Sequence, residues 1–307
     1  MQRLNAFFLV DKPSGPTSNR VLQDVRCGIL GVRRTKELKF GHAGTLDSFA
    51  SGLLIVLAGR LTRLTPWFMG QIKGYRAIVQ FGAETDTLDP LGKVVAQAST
   101  PLLADLERVL ERFRGDIAQV PPAYSAVHVD GIRSYELAMR GQTPELAPRS
   151  VHIEKLELLG YENDRVVFDI RCSSGTYIRS LARDIARACE SRAHLADLRR
   201  TAIGPFNVED AILPESCTRE RAREFSAEIA RSIGLGSATL ASNYCVAFSH
   251  GAELPESSLL ELAEGRGSLD SAPVAVFSEQ REFLGLVARL RVGFRPMMVV
   301  AAEEIAL

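Results

Sequence analysis

Apolar positions in this chain follow two rhythms. AFFLV (6–10) is an unbroken apolar run stopped by the DKPSGP turn, which predicts a buried strand. Behind the cap residues Thr17, Ser18 and Asn19, Val21, Leu22, Val25 and Ile29 recur at helical spacing, so 18–31 is expected as a helix. LLIVLAG (53–59), partly β-branched and fenced by glycines, suits a core strand, whereas YRAIVQFG (75–82) alternates like a half-exposed one. Residues 102–113 predict an amphipathic helix before the PPAYS break at 121–125. YSAVHVDGIRSYELAMRG (124–141) reads as an extended segment, a turn at Asp130-Gly131 and a short helix. VHIEKLELL and RVVFDIRC are two further strands, and 173–190 is expected as a helix with Ile178, Leu181 and Ile185 on one face and arginines on the other. RRTAIGPF and AILP lead to an acidic helix near 217–231, and GLGSATLAS (234–242) reads as a linker. Beyond it, PVAVFSEQREFLGLVARL and MMVVAAEEI alternate in the manner of a small β domain.

This order predicts a mixed α+β fold, and no GxGxxG or Walker loop supports nucleotide binding. At 307 residues the chain suits one large domain plus a small one. No apolar stretch approaches the roughly 20 residues that cross a bilayer, and the N-terminal apolar patch is too short for a signal peptide, so a cytoplasmic protein is expected. The five cysteines are scattered, with no CxxC pair and no Cys/His cluster, which argues against a disulfide framework or a metal site. Basic and acidic residues balance at 37 each, but not evenly along the chain. Residues 19–40 carry Arg20, Arg26, Arg33, Arg34, Lys36 and Lys39 against two acids, and 173–204 carry Arg179, Arg183, Arg187, Arg192, Arg199 and Arg200 against three. The compensating acid lies at 205–265, so a basic face is compatible with a neutral protein.

Six blocks then occur in one order: LVDKPSGPTSN (9–19), GHAGTLD (41–47), KGYRAIVQFGAETDTLDPLG (73–92), PPAYSAVHVDGIRSYELAMRG (121–141), SSGTYIRSLARDI (173–185) and LRRTAIGPFNVEDAI (198–212). Together they closely resemble the bacterial tRNA pseudouridine-55 synthases of the TruB type, from about residue 6 to 212. The resemblance implies a mixed, largely antiparallel central sheet of the pseudouridine synthase type, flanked by helices. It implies a catalytic domain over 1–240 with an RNA-binding insertion at about 124–151, and a small C-terminal PUA-like β domain over 241–307. The implied reaction detaches uracil from C1′ of a uridine in the T loop of tRNA, rotates the base and rejoins it through C5. It needs neither metal nor organic cofactor, and a monomer is expected to perform it.

By the same resemblance Asp47 is the family's essential aspartate, acting on C1′ or on the C2′ proton, since positive character develops at the sugar. Arg179 of GTYIR supplies the opposite charge, Tyr75 stacks on the uracil, and Leu198 excludes water beside the carboxylate. A base stacked in a loop must be extruded, and His42 matches the histidine inserted into the vacated space. Lys12, Lys39, Arg133 and Arg200 are expected phosphate contacts.

Two departures stand out. Ser48-Phe49 follow the aspartate where the family has proline, so the loop is expected to be looser or held by Phe49 packing. The insertion is formally neutral, with Arg133, Arg140 and Arg149 against Asp130, Glu136 and Glu145. Weaker phosphate contact is expected from it, and more reliance on the 19–40 and 179–200 arginines. Two rival readings are a two-carboxylate glycosidase using Asp86 or Asp89 with Asp47, and a non-catalytic tRNA-binding or folding module on the same scaffold. The first would make Asp86 or Asp89 as sensitive as Asp47, and the second would leave function intact in Asp47→Asn.

Overall fold

The computed structural model describes residues 4–32, 38–263, 265 and 272–300. Arg33, Arg34 and Lys36 of the first basic cluster, and the end of MMVVAAEEI from 301, lie outside the described residues. AFFLV forms the strand Ala6–Lys12, which pairs antiparallel with Ser51–Ala58. The central sheet continues through Ala193–Ile203, Lys73–Phe81, Arg165–Cys172 and Arg149–Glu162 to Gly115–Gln119 at the far edge. Along this path the pairing of Ser51–Ala58 with Ala193–Ile203 is parallel and the rest are antiparallel, as the fold expectation had it.

Alternation along the strands decides where the core sits. Tyr75, Ala77, Val79 and Phe81 share one face with Val166, Phe168, Ile170 and Cys172, and the helices Leu103–Leu110 and Ile178–Ala188 cover it with Leu106, Leu110, Leu181 and Ile185. The reverse face carries exposed Arg76 and the ion pairs of Lys155 with Glu157 and Asp169, so it faces solvent, as one side of an antiparallel sheet commonly does. Thr17 starts the helix Ser18–Leu30, its side chain accepting from Arg20 N–H, and Gly31 in the left-handed region ends it.

Three expectations are corrected. The helix expected over 173–190 begins only at Ile178, because Gln119 of the edge strand takes Tyr177 N–H and donates to its carbonyl, holding 173–177 as a turn. The acidic helix near 217–231 shrinks to Ala227–Ser232, because Arg223 exchanges both backbone hydrogen bonds with Phe7 and draws that segment along the sheet edge. The 234–242 stretch is not a linker. Gly236–Leu240 is an inner strand of a second sheet, with Leu259–Ala263 on one side and Val274–Phe277 on the other, followed by Phe283–Arg289 and Phe294–Val299. Its small residues are buried, and small side chains are what an inner strand packed on both faces accepts. Phe225, Phe277 and Phe283 of this region join Phe68 and Phe206 of the first sheet's surroundings in one core. Arg60 ties it further by donating to the Val299 carbonyl at 2.8 Å. Among the described residues no helix is long and apolar enough to cross a membrane.

Candidate active site

The loop 43–50 carries Asp47 and is anchored by backbone carbonyls. Lys12 is fully buried, and its ammonium donates to the carbonyls of Pro13, Ser48 and Ala50 at 2.9, 3.3 and 2.6 Å. Burial pushes its pKa down to about 8, so it remains a cation at neutral pH. From the same DKPSGPTS segment, Ser14 donates to Phe49 O and Gly15 N–H to Ser48 O, while the Ser18 hydroxyl both accepts from Leu46 N–H and donates to Leu46 O. On the other side Arg200, 1 % exposed, donates from Nε to Leu53 O at 2.7 Å, from Nη1 to Thr45 O at 3.4 Å and from Nη2 to Gly44 O at 3.2 Å. Gly52 permits this arrangement. Its φ is +107°, and a Cβ there would lie 2.3 Å from the Arg200 carbonyl, so no other residue fits where the two strands run parallel.

Asp47 meets Arg179 at the first turn of the Ile178–Ala188 helix. Arg179 Nη2 donates to Asp47 Oδ1 at 3.2 Å, and Nε lies 2.9 Å from Oδ2 as an ionic contact, its N–H not aligned along it. The remaining donors are committed too: Nη1 to Thr87 O and Nη2 to Tyr124 O, both at 3.0 Å. The Arg179 side chain is 6 % exposed and that of Asp47 36 %, so a buried guanidinium, held by two backbone carbonyls, presents a carboxylate to open space. On the helical pattern Arg179 lies next to the apolar face marked by Ile178, and in the structure it is walled in by the 85–89 turn and the insertion. Asp89 sits behind it, Oδ2 3.8 Å from Nη1, while its Oδ1 accepts from Thr87 and Leu91 in an Asx turn. Asp86 is exposed and accepts from Lys93 N–H.

The open space is a cavity of about 570 Å³ lined by Asp47, Tyr75, Arg179, Leu198, Arg133 and Arg200 among others. Tyr75 and Leu198 belong to one buried cluster with Leu46, Phe49 and Ile178, so Phe49 does hold the loop that lacks the family's proline. Burial raises the Tyr75 pKa, with the nearby Arg200 opposing it, so the phenol stays protonated. Residues from the insertion (Tyr124, Ser125, Ala126, Tyr135) and Lys73 also line the cavity, and the motif reading singled out none of them. Lys73 is buried, donates to the carbonyls of Met69 and Gln71, and has its pKa pushed down to about 8 by burial. Its two-residue spacing from Tyr75 on one strand face was the available signal.

The other predicted residues separate. Lys39 and Arg133 are exposed, as phosphate contacts must be. Lys12 and Arg200 are buried, and their donors face backbone carbonyls of Pro13 and of residues 44–53 rather than the surface. The 179–200 arginines, on which more reliance was expected, are engaged within the fold. Arg183 pairs with Asp184, Arg187 with Glu84 and Arg199 with Asp11, Arg192 donates to Ser191 O, and Arg179 and Arg200 are buried. His42 ends the Phe40–His42 strand and is half-buried outside the cavity lining, with Nδ1 unpartnered. Burial, then Arg200, lowers its pKa, so it is neutral at pH 7. Among the described residues no group of three His, Cys, Asp or Glu could hold a metal ion.

Comparison with known proteins agrees with this geometry. Residues 32–178 match the TruB family pseudouridylate synthase (N terminal domain). A relative from Bordetella avium (strain 197N), "tRNA pseudouridine synthase B", is 44 % identical over 215 residues, 69 % of this chain and 86 % of its own. One of the same name from Borreliella burgdorferi (strain ZS7) is 39 % identical over 218 residues, 70 % of this chain and 75 % of its own. Among solved structures, a chain in "Structure of H/ACA RNP bound to a substrate RNA containing 2'-deoxyuridine" shares the fold, with a TM-score of 0.69, 22 % identity, and 96 % of this chain and 85 % of that one covered. The buried arginine, the half-open carboxylate and the tyrosine–leucine wall thus stand in a chain that belongs to the TruB family of pseudouridylate synthases.

Proposed function

We propose that the protein isomerises uridine to pseudouridine at position 55 in the T loop of tRNA. The observation that carries this reading is the Asp47–Arg179 pair opening into a cavity walled by Tyr75 and Leu198. The names of the relatives supply tRNA as the substrate. The target nucleotide is everted into the cavity, and His42 enters the space it leaves in the stack. Asp47 acts at the sugar, on C1′ or on the C2′ proton, as the N1–C1′ bond breaks. Tyr75 stacks on the freed uracil, and Leu198 with Phe49 keeps water from the sugar. Rotation brings C5 to C1′; the C5 hydrogen leaves as a proton and N1 gains one, so the reaction is redox-neutral. Lys39 and Arg133 contact phosphates.

Asp89 and Asp86 are both held in turns, and Asp89 backs Arg179 rather than opening on Asp47, which favours the isomerase over a two-carboxylate hydrolase. The test is incubation with an unmodified tRNA transcript, followed by pseudouridine mapping. Pseudouridine at position 55 with wild type and none with Asp47→Asn is the expected outcome. Free uracil as product, product elsewhere, or full activity in Asp47→Asn would each defeat the proposal.

A further inference from the structure

We propose that Ser125 is a substrate-contact residue, its hydroxyl holding a uracil carbonyl next to N3 while the base turns; this rests on the isomerase reading above. Ser125 is 5 % exposed, and its Oγ is buried with no hydrogen-bond partner, yet the residue lines the cavity together with Asp47, Tyr75, Arg179 and Leu198. Ser180 is the other buried hydroxyl without a partner among the described residues, and it does not line the cavity. The Ser125 backbone is pinned, its N–H donating to Ala123 O at 3.0 Å and its carbonyl accepting from Tyr135 N–H at 3.1 Å. The preceding carbonyl, that of Tyr124, takes the same Arg179 Nη2 that donates to Asp47 Oδ1. The hydroxyl is therefore an unsatisfied group on a rigid segment, one residue from the catalytic ion pair. Burying a hydroxyl unpaired carries its full desolvation penalty, and such a group calls for an explanation. A partner arriving with substrate supplies one. Rotation about Cα–Cβ between staggered positions redirects Oγ without moving the backbone.

The geometry of uracil says which group it meets. The base leaves C1′ through N1 and returns through C5, which is a half-turn about the N3–C6 axis. That turn exchanges C2=O with C4=O and leaves N3 where it was. A fixed donor facing the carbonyl remote from the sugar meets O4 before the turn and O2 after it. One hydroxyl serves both orientations, so the loose base stays tethered without being locked. Ser125 transfers no proton.

The test is a binding cycle. Wild type and Ser125→Ala are titrated with tRNA transcripts carrying either uridine or a pyrimidin-2-one riboside, which lacks O4, at the target position. Each single change is expected to weaken binding by about fivefold to tenfold, the scale of one hydrogen bond, and the two together no further than either alone. Multiplicative losses, or no loss in Ser125→Ala, would overturn the inference. The free variant should melt no lower than wild type, since it loses an unpaired group; a lower melting temperature would assign the serine to the scaffold instead. Pseudouridine formation by wild type on the uridine transcript is read in parallel, so failure of the isomerase reading shows separately from failure of the Ser125 contact.

Discussion

Arg200 separates two accounts of the same residue type, and conservative replacement tells them apart. In Arg200→Lys the charge stays but the fork is lost. Nε faces Leu53 O at 2.7 Å, while Nη1 and Nη2 face Thr45 O and Gly44 O at 3.4 and 3.2 Å, so a single ammonium keeps one side at most. Leaving one or two of these carbonyls unpaired at a position only 1 % exposed costs roughly 2–4 kcal/mol, counting 1–3 kcal/mol for the short bond and less for the longer two. Gly44 and Thr45 lie three and two positions before Asp47, so the loop shift should also lower the single-turnover rate, about 100-fold for a 1 Å displacement. The assays are urea denaturation and tRNA binding across salt. The scaffold account expects a lower urea midpoint and an unchanged salt slope, in Arg200→Lys and in Arg200→Met alike. A phosphate contact would instead leave stability intact and reduce the slope in Arg200→Met by about 0.7–0.9. That second pattern would refute the reasoning.

Three further outcomes follow from the same contacts. Lys39→Ala with Arg133→Ala should reduce the salt slope of tRNA binding by about 1.5, near two phosphates' worth, whereas Arg187→Ala should leave it unchanged because that arginine is spent on Glu84. Gly52→Ala should prevent folding or lower the melting temperature steeply, since both its φ and the 2.3 Å approach to Arg200 O exclude a Cβ; a soluble variant of wild-type stability would contradict this. Lys12 and Lys73 have folded pKa values of about 8 against 10.5 in the unfolded chain. Between those values the unfolded chain binds more protons, so unfolding free energy should rise with pH by up to about 1.4 kcal/mol per unit per lysine. Urea midpoints at pH 8, 9 and 10 check this: Lys73→Met should flatten the rise, and an equally steep rise in that variant would exclude Lys73 as a source.

Element type was legible wherever a local pattern had no competitor. The Ala6–Lys12 and Ser51–Ala58 strands, the capped helix at Ser18–Leu30 and the amphipathic Leu103–Leu110 helix each carry their own apolar rhythm and their own stop signal. The pattern misled where a distant partner outbid it. Gln119 cut back the helix before Ile178, Phe7 captured Arg223, and two flanking strands turned the small-residue stretch Gly236–Leu240 into sheet interior.

For the site, the family resemblance singled out Asp47, Tyr75, Arg179 and Leu198, and the fold brings all four to the lining of one cavity. What the fold decided is the use of charge. A sequence counts six basic residues over 173–204 and cannot tell a guanidinium spent on a buried carbonyl from one left for phosphate. That distinction is a matter of which carbonyls and carboxylates the packed chain brings within 3 Å or so, across separations such as the 147 residues between Arg200 and Leu53. Residue type sets what a side chain is able to do; the neighbours that folding delivers set what remains free for it to do.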